Sequence, residues 1–238
     1  MKYPIKGFQL ASLIEREGCV TSVVYLAGCN FRCGFCHNQD LLCNKEEMET
    51  IALCEILDAI EGQRGWIDAV AITGGEPTCC LELPKLIKEF KKSGLQVQIH
   101  TNGSNPLLIK SLVNQGLLDY IAMDFKAPFN ESYQKITRAH FDLSLIKESI
   151  DFLFKGFVEY ELRTTLIPSF HTQEVLIDMA KTVSQAKRYF LQNFSNQFVN
   201  DQVFSKISPY TLEEIKKLAK KMSFYCPSIQ LRGFPSFD

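Results

Sequence analysis

Residues 20–38 read VTSVVYLAGCNFRCGFCHN. The first eight, VTSVVYLA (20–27), are apolar and β-branched almost without a break, which suits a strand covered on both faces. Three cysteines follow at once: Cys29, Cys33 and Cys36, separated by three residues and then two. They stand at the C-terminal end of the strand, where open α/β sheets and barrels carry their sites.

Working outward, six more runs read as strands: IDAVAIT (67–73), LQVQIH (95–100), LDYIAMD (118–124), VEYELRTTLI (158–167), KRYFLQN (187–193) and SIQLRG (228–233). Helical patterns fill the gaps. Residues 46–61 place Met48, Ile51, Ala52, Leu53, Ile56 and Ile60 near one face. Residues 81–92 follow with Leu83, Leu86, Ile87 and Phe90, and Ser93-Gly94 marks their end. Further helices are expected near 105–116, 142–155, 172–185 and 210–222. The first of these opens on Asn105-Pro106, an N-cap residue followed by proline at the first helical position. Strand–helix alternation predicts an α/β fold with parallel strands and outer helices. Six units are too few for a closed eight-stranded barrel, so a partial (βα)6 TIM-like barrel is expected, with 1–238 as a single domain. Residues 193–209 are polar with isolated aromatics and read as a surface loop or lid.

The chain has 238 residues, 46% of them hydrophobic and 22% charged, which excludes disordered and fibrous classes. Twenty-six Lys and Arg stand against 27 Asp and Glu. A grip on many phosphates calls for a basic surplus, so nucleic acid is not an expected partner. The N-terminus lacks the charged-then-apolar run of a signal peptide, and no run approaches the roughly 20 apolar residues that span a bilayer. A cytoplasmic location is expected, with no membrane partner.

In a reducing compartment, clustered cysteines point to metal or catalysis rather than disulfides. Thiolates are the soft ligands of iron–sulfur clusters. Three of them leave one iron of a 4Fe-4S cluster open to another ligand. Structural zinc prefers four ligands, and no second Cys-x-x-Cys is present. His37 adjoins Cys36 and could serve as a fourth ligand only in a strained arrangement. The other cysteines are scattered or, at Cys79-Cys80, adjacent. Cys54 reads as a small core residue. Adjacent cysteines make a poor clamp, so Cys79 and Cys80 read as structural.

The Cys-x3-Cys-x2-Cys loop, with Phe35 before its last cysteine, resembles the signature of radical S-adenosylmethionine enzymes. The resemblance implies that Cys29, Cys33 and Cys36 hold the cluster and that S-adenosylmethionine chelates the open iron. Residues 70–77, VAITGGEP, match the family's second signature, so Gly74, Gly75, Glu76 and Pro77 are expected to line the methionine amino group. Glycines permit close backbone approach, and a carboxylate or carbonyl accepts from an ammonium. Phe35 and the backbone through Cys36 and His37 are expected beside the adenine. HTNG (100–103) offers Thr101 and Asn102 to the ligand. MDFK (123–126) resembles a segment of glycyl-radical enzyme activases, placing Asp124 and Lys126 near the nucleoside and implying a monovalent cation at Asp124. The acidic residue that often precedes the threonine in such activases is His100 here. Arg163 resembles the arginine that pairs with the S-adenosylmethionine carboxylate, a task suited to a guanidinium fork.

Cys-His-Asn at 36–38, and the stretches KGFQLASLIE and SVVYLAGCNFRC, resemble most closely the long form of the anaerobic ribonucleoside-triphosphate reductase activating protein. That implies an enzyme placing a glycyl radical on a partner reductase, with reduced flavodoxin or ferredoxin as electron donor. The alternatives are activation of a pyruvate formate-lyase type enzyme and a small-molecule radical enzyme such as a 7-carboxy-7-deazaguanine synthase. Neither His140 nor His171 is needed as a catalytic base. The 193–209 segment and the tail 232–238 are the expected docking surfaces.

Overall fold

The structure, a computed structural model, describes residues 3–43, 46–197, 199 and 201–233. Its eight strands form one sheet in chain order. They are β1 (Ile5–Ser12), β2 (Thr21–Leu26), β3 (Ala69–Gly74), β4 (Gln96–Thr101), β5 (Tyr120–Asp124), β6 (Glu159–Leu166), β7 (Tyr189–Asn193) and β8 (Ile229–Arg232). β1 runs antiparallel to β2, whereas the β2–β3, β3–β4, β6–β7 and β7–β8 pairs are parallel. This is the mostly parallel α/β architecture that the alternation predicts, and all seven expected strands are present.

β1 is the strand that periodicity misses. Its burial does not alternate cleanly and two register irregularities interrupt its pairing, as an edge strand with bulges allows. A Cβ on Gly7 would lie 3.2 Å from the Tyr25 ring, so glycine lets this edge approach β2.

Contacts divide the chain into two units. One comprises Met1–Asn30, Asn38–Ala122 and Gly156–Glu159; the other comprises Phe31–His37, Met123–Lys155 and Tyr160–Asp238.

In the first unit, β2 and β3 are buried along nearly their whole length, as strands covered on both faces must be. Helix α1 (Asp40–Cys43) is short. Helix α2 runs only from Leu53 to Glu61, not from residue 46, and buries Ile56 and Ile60. Residues 48–51 are held instead by β1: Lys6 Nζ donates to Met48 O and Thr50 Oγ1, and Ile51 N donates to Ile5 O. These bonds replace the helical turn that the apolar spacing suggests. Cys54 is exposed on α2, a correction to its expected place in the core. Helix α3 (Leu83–Lys92) buries the four expected residues Leu83, Leu86, Ile87 and Phe90. Helix α4 (Pro106–Asn114) starts as anticipated: Asn105 caps it by accepting from Leu108 N, with proline in the first turn.

In the second unit, helix α5 (Glu131–Thr137), not anticipated from sequence, precedes α6 (Leu143–Phe154). Helix α7 (Gln173–Thr182) and helix α8 (Leu212–Met222) complete the set, α8 opening on a Thr211–Glu214 capping box. In the 193–209 segment β7 ends at Asn193, and most of the described residues beyond it are partly or fully exposed, as a surface loop requires, but the aromatics among them are not on the surface. Phe194 and Phe204 are buried, and Phe204–Lys206 forms a 3-10 turn. Only Arg232 and Gly233 of the expected docking tail fall within the described residues; 234–238 lie outside them. Among the described residues no helix is long and apolar enough to cross a membrane.

Candidate functional site

Within the first unit, two loops at strand ends are bound into one body. β3 ends at Gly74 with φ +112, where a Cβ would stand 2.4 Å from the backbone of Leu26. A Cβ on Gly75 would fall 2.0 Å from Gly28 O. Both positions therefore demand glycine, because backbone occupies the space a side chain needs. Gly75 N donates to Leu26 O and Glu76 N to Gly28 O, each at 2.8 Å, while Asn38 Nδ2 donates to Gly74 O. The residue before Cys29 is thus clamped to the Gly-Gly turn.

Glu76 is 2% exposed, and its carboxylate is spent inside the protein. Oε1 accepts from Thr78 N and Oγ1 and from Thr101 Oγ1; Oε2 accepts from Asn102 N at 2.6 Å. Burial pushes its pKa up, against these four bonds that favour the charged form. Thr101 and Asn102 are likewise buried. Asn102 Nδ2 donates to Asn30 Oδ1, and Asn30 Nδ2 to Ser104 Oγ, so the residue after Cys29 is tied to the β4 loop. Glu76, Thr101 and Asn102 come together in a frame that binds loop to loop. His100, beside them on β4, stands 3.5 Å from Glu15, which sequence did not single out.

The second unit holds Cys33, Phe35, Cys36, His37, Asp124, Lys126 and Arg163. Cys33 is buried, which raises its thiol pKa to about 11, while the Lys126 ammonium pulls it down. Lys126 Nζ lies 5.6 Å above the Phe35 ring and 2.9 Å from Asp124 Oδ2. Although burial opposes its charge, Asp124 holds the lysine pKa above its ordinary value. Arg163 is not a surface arginine. Its side chain is buried on β6, with Nε 3.4 Å from Asp124 Oδ1 and 3.9 Å from Glu161 Oε1. Glu161, itself 1% exposed, accepts from both terminal nitrogens of Arg232 on β8, one at 2.8 Å. Lys126, Asp124, Arg163, Glu161 and Arg232 thus form a ladder of alternating charge, and Asp124 already faces two cations of the chain itself.

Further partners emerge only in the fold. His171 is buried: Nδ1 accepts from Ile167 N and Nε2 donates to Lys126 O, each at 2.9 Å. Burial lowers its pKa to about 4, so it is a neutral brace under Lys126. Glu161 and Arg232 could not be linked from sequence because 71 residues separate them.

No disulfide joins any of the nine cysteines. Among the described residues, no three His, Cys, Asp or Glu side chains gather as ligands of a single ion. A cluster makes no such demand, since each thiolate binds a different iron, and zinc would require one shared centre. A buried thiol beside a part-buried ammonium suits an anionic, thiolate-ligated cluster, so the donor set fits 4Fe-4S.

Residues 23–183 match the Radical SAM superfamily. The chain is 31% identical over 237 residues, covering 98% of itself and 97% of its counterpart, to the "Putative glycyl-radical enzyme activating enzyme MJ1227" of Methanocaldococcus jannaschii. A second protein of that organism with the same description, MJ1632, is 29% identical over 74% of this chain and 66% of its own length. Among solved structures, a domain of pyruvate-formate lyase-activating enzyme from Bacteroides vulgatus shares the fold. It superposes with a TM-score of 0.55 at 16% identity, over 70% of this chain and 99% of that domain.

Proposed function

Because this chain belongs to the radical S-adenosylmethionine superfamily, we propose that it is a glycyl-radical enzyme activase whose target is an anaerobic ribonucleoside-triphosphate reductase. The observation that carries the activase reading is similarity along 98% of the chain to a relative described as such an enzyme. The target rests on the wording of the cysteine loop, GCNFRCGFCHN. We read residues 1–238 as acting as one functional domain.

In this reading Cys29, Cys33 and Cys36 hold the 4Fe-4S cluster. With S-adenosylmethionine bound, that cluster supplies one-electron cleavage of a sulfonium and hence the means to take a hydrogen atom from a glycine Cα. The chain's own residues bind and orient. Gly74 to Pro77 offer backbone to the methionine amino group, since the Glu76 carboxylate is engaged by Thr78, Thr101 and Asn102. Arg163 supplies a guanidinium to the methionine carboxylate. Phe35, with Cys36 and His37, flanks the adenine. Lys126 and Asp124 stand at the nucleoside, and Lys126 adds positive charge beside Cys33. Reduced flavodoxin or ferredoxin is the proposed electron donor.

The test is anaerobic reconstitution with iron and sulfide, followed by incubation with candidate partners. A glycyl-radical doublet by electron paramagnetic resonance in the ribonucleoside-triphosphate reductase, lost in Cys36→Ser, is the expected result. A doublet only in a pyruvate formate-lyase type enzyme would move the target. Cleavage of S-adenosylmethionine with no doublet in any partner would favour a small-molecule substrate such as the deazaguanine precursor.

A further inference from the structure

The segment after β7 grips the cysteine loop of its own unit at two places and braces the second grip from within. Its Ser195 O accepts from His37 Nε2 at 3.0 Å. Its Phe204 ring lies where the side chain of residue 34 would be: a Cβ on Gly34 would stand 2.4 Å from that ring. The ring also stacks on Phe170 with centroids 6.0 Å apart and lies 6.1 Å from Phe35. Its Asp201 pairs with Arg138 at 2.6 Å and accepts from Val203 N and Phe204 N, which fixes the turn that presents Phe204.

Arg138 completes the clamp, its guanidinium 5.5 Å from the Phe204 ring centroid and one of its terminal nitrogens 2.9 Å from where a Cβ on Gly34 would stand. It is the one non-glycine residue with positive φ (49°) among those described, a conformation that costs free energy and persists where the surroundings enforce it. The residue before it, Thr137, accepts through its carbonyl from Arg32 N, so this turn holds the cysteine loop and the segment together.

We propose that Phe204, clamped by the Arg138–Asp201 pair, is a positioning residue that fills the notch left by Gly34 and fixes the bend from which Cys33 and Cys36 project. The role rests on the reading of those cysteines as cluster ligands, but the fixing of the bend can be measured without a cluster. Gly34 is then glycine because its side-chain space belongs to a ring from residue 204.

The experiment alkylates the cluster-free chain with iodoacetamide and follows each cysteine by peptide mass spectrometry. Phe204→Ala is expected to speed alkylation of Cys33 and Cys36 roughly tenfold, and Asp201→Asn a few-fold, because local opening exposes only what the segment covers. Phe204→Leu, which refills the notch, should restore most of the protection. Buried Cys226 serves as the control for the rest of the unit. Unchanged rates at Cys33 and Cys36 in Phe204→Ala would overturn the proposal. So would Cys226 rising in step with them, which would make Phe204 a general stability residue. If wild-type protein instead takes up no four-iron cluster on reconstitution, the cluster reading fails while the alkylation pattern still decides the fixing of the bend. In loaded protein, Phe204→Ala should also alter the cluster's resonance spectrum, and Phe204→Leu should return it.

Discussion

The frame around Glu76 and the ladder around Glu161 each bury a carboxylate, but they neutralise it differently. Glu76 accepts from neutral N–H and O–H groups, two of them backbone amides. Glu161 faces two guanidinium groups. Backbone amides cannot move without moving their loops, so the first arrangement fixes chain geometry. Side-chain cations can shift at modest cost, so the second arrangement manages charge. Buried charge serves shape in one place and electrostatics in the other.

Removing Glu76 should sharpen that contrast most. Glu76→Ala leaves buried donors of Thr78, Thr101 and Asn102 unanswered, and a loss of about 3–5 kcal/mol is expected by denaturant unfolding. A loss below 1 kcal/mol would mean the frame is not held by its carboxylate. Gly75→Ala attacks the same frame through space, since its Cβ would overlap Gly28 O; overpacking of this kind costs about 1–3 kcal/mol or more. It should also lower iron uptake on reconstitution, because the loop bearing Cys29 must shift.

Glu161→Gln keeps the shape of the ladder but removes a charge. Arg232 is partly exposed and can turn toward water, so about 1–3 kcal/mol is expected, less than for Glu76→Ala. If Glu161→Gln proved the costlier of the two, the division between shape and charge would be reversed.

The smallest effect is a pH dependence. His171 is held neutral with a folded pKa of about 4 against 6.5 when unfolded. The unfolded chain therefore binds the extra proton between those values, and stability must fall as pH drops through that window. From pH 7 to 5.5 the loss from this group should be about 1 kcal/mol. Glu76, whose pKa is raised, acts with the opposite sign. The difference in thermal midpoint between wild type and His171→Gln across this range isolates the histidine. Parallel midpoints would show that the histidine titrates normally.

Much of this was legible because two features are local. Apolar runs mark β2 to β8, and spacing marks the cysteine loop and the Gly-Gly-Glu-Pro turn. What escaped was long-range. β1 carries no clean alternation because it lies at an edge and bulges. Residues 46–52 have helical spacing, but Lys6 and Ile5 draw them to β1. The partners of the Glu76 carboxylate were also out of reach, because its motif shows the acid but not Thr101 and Asn102, which arrive from β4. Phe194 and Phe204 read as isolated aromatics in polar sequence, since the surfaces that bury them come from distant segments.

The bond between Glu161 and Arg232 also orders events during synthesis. The arginine leaves the ribosome 71 residues after its partner. Until then the β6 carboxylate lacks the guanidinium that offsets its desolvation, and burying it early is penalised. Closing the charge ladder of the second unit therefore waits for β8 to emerge.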